Sequence, residues 1–110
     1  MEQQKNIFAE KEAERIPDPA ELRVSSKGDV NKLASAIVAK IREHGYTKVR
    51  GIGDPSIGKG FRASSIALGR LLQADMDFVM TGAFFDVILK DRDSGEEKVK
   101  SGSIINIDPR

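Results

Sequence analysis

The segment Gly53-Asp54-Pro55-Ser56-Ile57-Gly58-Lys59-Gly60 carries the glycine spacing and the lysine of a nucleotide phosphate-binding loop. That chemistry needs backbone N–H groups wrapped around a phosphate, a lysine on the outer phosphates, and a Ser or Thr hydroxyl on magnesium. Here Gly60 stands where the hydroxyl belongs, and Pro55 removes one amide donor. Hydrolysis of a nucleoside triphosphate is therefore not expected. A simpler capacity survives. Amides at a helix start, with Gly58, Lys59 and Gly60, can hold a phosphate of a nucleic acid.

Other chemistry finds little material. The chain has no Cys and a single His, His44. Disulfides, thiolate zinc sites and cysteine nucleophiles are excluded, and one His cannot build a multi-His metal site. Asp75, Asp77 and Asp86 are the candidates for a carboxylate cluster. Asp75 and Asp77 fit a turn before a strand, and Asp86 fits a strand surface. No nucleophile, base and acid stand in a catalytic pattern. The expectation is a protein without enzymatic activity, without catalytic residues, metal or cofactor, and without a small-molecule substrate.

Composition narrows the class. The 110 residues are 39% hydrophobic and 32% charged, which suits one small globular domain. No apolar run reaches the roughly 20 residues that span a bilayer, so no membrane partner is expected. The start Met1-Glu2-Gln3-Gln4-Lys5 has no apolar stretch behind a basic one. A secretory signal is not expected, and a cytoplasmic location is. The net charge of +1 conceals a pattern. Residues 23–72 hold ten Lys and Arg against Asp29, Glu43 and Asp54, whereas the segments on either side are each net acidic. A basic middle points to an anionic partner, most simply a phosphate backbone.

The elements that position these charges follow from periodicity. Residues 1–20 form a charge-dense extension, helical over about 4–15 or disordered, closed by Pro17-Asp18-Pro19. Ile7 and Phe8 are its candidate docking contacts. The domain proper runs from 21 to 110. Residues 21–26 alternate as a strand. Asp29 is placed to cap a helix whose apolar stripe is Val30, Leu33, Ala34, Ile37, Val38 and Ile41, with Gly45 at its left-handed end. Residues 47–53 read as a strand and about 56–73 as a second helix. Ile57, Phe61, Leu68, Leu71 and Leu72 form the apolar face of that helix, with small Ser64 and Ala67. Lys59, Arg62 and Arg70 fall on the other face, with Ile66 among them. Gly69 is a mid-helix cost unless something packs there. Residues 77–81 and 85–90 read as strands broken at Gly82-Ala83, then a polar turn over 91–97 and a last strand over 98–107. The fold class is an α/β two-layer sandwich, two helices on one face of a small mixed sheet.

From Leu22 to Arg110 the chain resembles the stage V sporulation protein S family of the Alba-like superfamily. The resemblance rests on Val24-Ser25-Ser26, the helix ending Ile41-Arg42-Glu43-His44-Gly45, and Ile52-Gly53. It continues through Arg62-Ala63-Ser64-Ser65-Ile66-Ala67-Leu68-Gly69, Asp77-Phe78, Ala83-Phe84-Phe85-Asp86 and Asp108-Pro109-Arg110. The chain departs from the family where Asn-Gln-Ala is replaced by Gly58-Lys59-Gly60, where Pro is replaced by Gly82, and in a longer, acidic 91–97 turn. The resemblance implies an Alba-like βαβαββ sandwich, a homodimer, and a regulatory role in nucleic-acid binding connected with sporulation.

Two functions compete. In the first, the chain is a non-catalytic DNA- or RNA-binding dimer that reads backbone and shape. Lys59, Arg62 and Arg70 would contact phosphates, with Arg50, Lys27 and Lys32 as further candidates. Tyr46 and Phe61 are the aromatic residues near them, and Phe61 reads as core. In the second, the glycine-rich loop, Ile66 and the N-terminal extension recruit a regulatory protein and no nucleic acid is bound. The helix around Ile66 and the late strands are the candidate surfaces for dimer pairing.

Overall fold

The computed structural model describes residues 10–11 and 15–110. Helix α1 (Val30–His44) starts where its side chains require. The Asp29 carboxylate accepts hydrogen bonds from the amides of Asn31 (2.7 Å) and Lys32 (3.2 Å), satisfying donors that a helix start leaves open. The helix ends at Gly45, whose φ of 83° closes the last turn onto the Ile41 carbonyl. The sequence predicts both ends.

Among the described residues five strands form one sheet. They are β1 (Glu10–Lys11), β2 (Glu21–Arg23), β3 (Thr47–Ile52), β4 (Phe78–Lys90) and β5 (Glu97–Pro109), in spatial order β1-β4-β5-β3-β2. β2 and β3 are parallel and joined through α1, as a strand–helix–strand crossover requires. β3 and β4 each pair antiparallel with β5, so the sheet is mixed. With helix α2 (Asp54–Gln73) the body reads βαβαββ, a two-layer sandwich. The core between the layers joins Ala34, Ile37 and Ile41 of α1 to Ala63, Ala67 and Leu71 of α2. Val49, Ile105 and Ile107 of the sheet complete it.

Three sequence expectations are corrected. Glu10–Lys11 are extended and pair with Val87–Ile88, so they are not helical; the rest of the expected 4–15 helix, and the contacts of Ile7 and Phe8, lie outside the described residues. β4 is unbroken at Gly82-Ala83, because these residues keep their register with Ile105 and Ile104 of β5. The buried face of α2 is Ser56, Ile57, Gly60, Ala63, Ser64, Ala67 and Leu71, and Leu72 is 68% exposed. Small residues therefore face the sheet, and part of the expected apolar face does not. The approach is close: a Cβ on Gly60 would lie 3.3 Å from Val24 Cγ2 and 3.6 Å from Val49 Cγ1.

A polar staple ties the chain ahead of β2 to the end of α1. The Asp18 carboxylate accepts from the Ala20 amide (2.8 Å) and from the Tyr46 hydroxyl (2.9 and 3.0 Å). Thr47 Oγ1 donates to the Ala20 carbonyl at 2.7 Å. The Ala20 amide and the Tyr46 hydroxyl hold the Asp18 carboxyl below its usual 3.8. The same bond to Asp18 raises Tyr46 above its usual 10.0.

Two outcomes follow. Gly60→Leu should lower stability by roughly 1–3 kcal/mol through overpacking. Gly58→Ala, which meets nothing within 4 Å, should be neutral or gain up to about 1 kcal/mol. Urea titrations of both variants check this. For Asp18 the folded value is depressed, so its contribution is present above the unfolded carboxylate pKa and fades as pH falls through the folded one. The stability gap between the parent and Asp18→Ala should therefore narrow between pH 7 and about pH 2 in thermal melts. A gap that stays constant would contradict the staple.

Candidate nucleic-acid interface

The loop that resembles a phosphate cradle is helix. Gly53 caps α2 with φ 83° and no side-chain cap, Pro55 sits in the first turn, and the Ile57 amide already bonds to the Gly53 carbonyl (3.0 Å). Residues 54–60 thus lie along a helix surface instead of curling around an anion. Ser56, Ile57 and Gly60 of this stretch are buried against the sheet. Gly60 is a packing residue; Gly58 is exposed.

Lys59 is committed in part to structure. Its Nζ donates to the carbonyls of Ser26 (2.6 Å) and Gly28 (2.8 Å), pinning the turn that leads into α1. An ammonium has three donors, so one remains for an anion. This contact draws Lys59 towards the turn carrying Lys27 and towards Lys32 in the first turn of α1, both exposed. Arg62 is exposed on the crest of α2. Arg70 leans to α1, where its Nη1 donates to Ser35 Oγ at 3.0 Å. Beside it a shallow groove is lined by Ser35, Val38, Ala39, Arg42 and Glu43.

Arg50 is not brought to this surface. It is 2% exposed, and its guanidinium lies 4.7 Å from the centroid of the Phe85 ring. Alternation along β3 puts Val49 under the helices, so Arg50 points to the opposite face of the sheet. Lys48 and Arg23 share that face with Glu21, and Asp18 lies beside them. Glu21 in turn pairs with Arg15. The basic middle of the sequence is thereby divided. Arg23, Lys48 and Arg50 lie on the outer sheet face among carboxylates. The helical layer and its leading turn keep Lys27, Lys32, Lys40, Arg42, Lys59, Arg62 and Arg70 against Asp29, Glu43 and Asp54.

The carboxylates of the sequence reading are not assembled. Asp75 occupies the turn before β4 with φ 58°, Asp77 pairs with Arg110 (3.0 Å), and Asp86 lies far along β4. Among the described residues no group of three or more His, Asp or Glu side chains could hold a metal ion. His44 sits at the helix end with Nε2 3.6 Å from Glu43 Oε1. No described helix is long and apolar enough to cross a membrane.

Sequence reasoning missed Lys40, Arg42 and Phe84. The cations were visible only as part of a count. Of the two aromatics considered, Tyr46 is engaged by Asp18, and Phe61 is half-buried with its ring centroid 6.1 Å from that of Phe84. Phe84 is 69% exposed. Its signal was the alternation Phe78, Met80, Gly82, Phe84, which carries the helix-facing side of β4 past the core. In comparison with known families, a family model described as Stage V sporulation protein S (SpoVS) matches residues 20–101.

Lys59→Met keeps the stem and removes the two carbonyl contacts. It should cost about 1–2 kcal/mol in urea melts and raise amide exchange in the 25–28 turn. No magnesium-dependent turnover of ATP or GTP that depends on Lys59 is expected, since Gly60 offers the metal no hydroxyl. A phosphate-release assay on the parent and Lys59→Met checks it.

Proposed function

The chain belongs to the stage V sporulation protein S family, and on that footing we propose that it is a non-catalytic, nucleic-acid-binding regulatory protein. It acts in the cytoplasm as a homodimer, on DNA or RNA, in a developmental process such as sporulation. Residues 21–110 are the binding domain and residues 1–20 an added extension. The observation that carries the reading is the excess of cations on the helical layer, seven against three carboxylates, with the remaining cations of the basic segment set on the other face.

The chemistry is backbone neutralisation. Arg62 stands at the crest of α2, Arg70 and Arg42 lie toward the groove between the helices, and Lys27, Lys32 and Lys59 gather at the starts of both helices. At the start of α2, where no side chain caps the helix, open amides add partial positive charge. Cations spread along two helices suit phosphates spaced along a strand, and their binding releases condensed counterions. Among the described residues no array of Asn, Gln or stacked aromatics accompanies them, so shape and backbone are read in preference to bases.

The test is a salt titration of binding to duplex DNA, single-stranded DNA and RNA. Arg62→Glu with Lys32→Glu is the informative variant, because both side chains are exposed and stand clear of the core. Binding should weaken across sequences. The slope of log affinity against log salt on duplex DNA should become shallower by about 0.9 for each phosphate that is no longer neutralised. The melting temperature should stay close to that of the parent. Parent-like binding by the variant, or no binding by the parent at low salt, would replace this reading with a protein-interaction module.

A further inference from the structure

We propose that the cleft between β2, the 25–28 turn and the first turns of α1 is a binding site for a small amphipathic anion, a compact apolar body with one carboxylate or phosphate head. Its occupation competes with nucleic acid for Lys32 and Lys59. The competition rests on the reading above; the binding itself does not.

The cleft follows from how the chain leaves the sheet. β2 is an edge strand of three residues that ends at Arg23, at the opposite side of the sheet from β1. The Val24 amide still bonds to the Arg50 carbonyl at 2.8 Å, and then the Gly28 amide closes a turn onto the Ser25 carbonyl at 3.1 Å. α1 begins at Val30, beyond that turn, so helix and strand edge do not close on each other. The space left is a cavity of about 360 Å³. That lies at the small end of the range of about 300–1,000 Å³ that ligand pockets occupy.

Its walls are apolar. Leu22 and Val24 line it from the strand, and Val30, Leu33 and Ala36 line it from α1. Val24 belongs to the core, and Leu22, Val30 and Leu33 pack half-buried against it. The cleft is thus a gap in the flank of the core. Leu33 and Ala36 each precede a buried residue, Ala34 and Ile37, and so face about a quarter-turn away from the sheet. Ala36 contributes a methyl where a longer side chain would fill the space.

The rim selects the charge. Of the charged residues that line the cleft, Arg23, Lys32 and Lys59 are cations and Asp29 is the one carboxylate. Arg23 shares the outer face of the sheet with Glu21. Asp29 is engaged as the cap of α1, accepting from the amides of Asn31 and Lys32. The positive charge at the opening therefore falls to Lys32, which is exposed, and Lys59. The Lys59 ammonium is already held by the Ser26 and Gly28 carbonyls, with its third donor left for an anion. A cation fixed beforehand loses little freedom on binding. An inorganic anion would leave the apolar walls wet, and a neutral apolar body would leave the ammonium groups without a counter-charge. A ligand that joins the two satisfies both. Its head takes the donors that a nucleic-acid phosphate would use, which makes the two ligands exclusive.

Octanoate is the probe, because its roughly ten non-hydrogen atoms match a space of about a dozen water-sized groups. Amide shifts of the full chain in two-dimensional NMR should move at residues 22–36 and around Lys59, and saturate. Along butanoate, hexanoate and octanoate, binding should tighten by up to roughly fourfold for each added methylene. Octanamide and acetate should each bind at least tenfold more weakly than octanoate, whereas octyl phosphate should bind in its place. Ala36→Phe should lose octanoate binding and keep nucleic-acid binding. Lys32→Met, exposed and apart from the core, should weaken octanoate at least threefold and leave octanamide unchanged. Saturating octanoate should lower the affinity of the parent for duplex DNA several-fold, and that of Ala36→Phe not at all. Acetate as effective as octanoate, shifts spread over the whole surface, or undiminished binding in both variants overturns the site. Octanoate bound with DNA affinity unchanged overturns the competition. A parent that binds octanoate but no nucleic acid overturns the reading above and leaves the site standing.

Discussion

The close seat of α2 on the sheet determines where every functional side chain goes. Gly60, Ala63, Ser64 and Ala67 form a stripe without bulk, so the helix settles directly over Val49 and Ile105. Once the buried direction is fixed by these small residues, the rest of the helix has no freedom of rotation. Lys59 lands beside the turn before α1, Arg70 beside Ser35, Arg62 on the crest, and Phe61 against Phe84 of β4. A larger residue at 60 would lift or turn the helix, and each of these contacts would shift with it.

The likeness to a nucleotide loop has the same origin. Glycines, a lysine and a strand-to-helix junction are shared by two different solutions. In a phosphate loop the glycines let the backbone wrap an anion. Here Gly53 makes the turn from β3 into α2, Gly60 admits Val24 and Val49, and Lys59 reaches two carbonyls. Most of the motif is therefore occupied by folding. What remains for a phosphate is one ammonium donor and the amides of a helix start, a contact suited to one phosphate among several along a backbone.

Much of the fold was legible because local chemistry decides it. Asp29 and Gly45 bound α1 through caps that depend on single residues. The turn around Gly95 is likewise local: its φ is 73°, and its amide bonds to the Asp91 carbonyl. What was not legible depends on neighbours distant in sequence. Leu72 looks like core by its type, yet the sheet is reached by small residues about a third of a turn away. Gly82-Ala83 looks like a break, yet β5 holds it in register. Arg50 looks like another cation of a basic segment. Its strand parity, set by Val49 entering the core, sends it to the other face beneath Phe85. Gly69 meets nothing within 4 Å, and nothing in the structure explains it.

The division of charge gives the two faces of the sheet different physical characters. On the outer face, Arg15 meets Glu21, Arg50 stacks on Phe85, and Asp18 binds Tyr46. A Cβ at Gly102 would come within 2.7 Å of Val87 Cγ2 and 3.0 Å of the Phe85 ring, so glycine at that position makes room for both. These groups satisfy one another at short range, and little field from them reaches solvent beyond a Debye length. On the helical face Arg62, Lys27 and Lys32 are exposed and spread over two helices. Their fields add over distance instead of cancelling in pairs. A long polyanion senses the sum, whereas a compact ligand would need the charges gathered into a pocket. On the proposed function this arrangement favours an extended partner along the helices, and the strand parity of β2 and β3 is what sets Arg23, Lys48 and Arg50 on the other face.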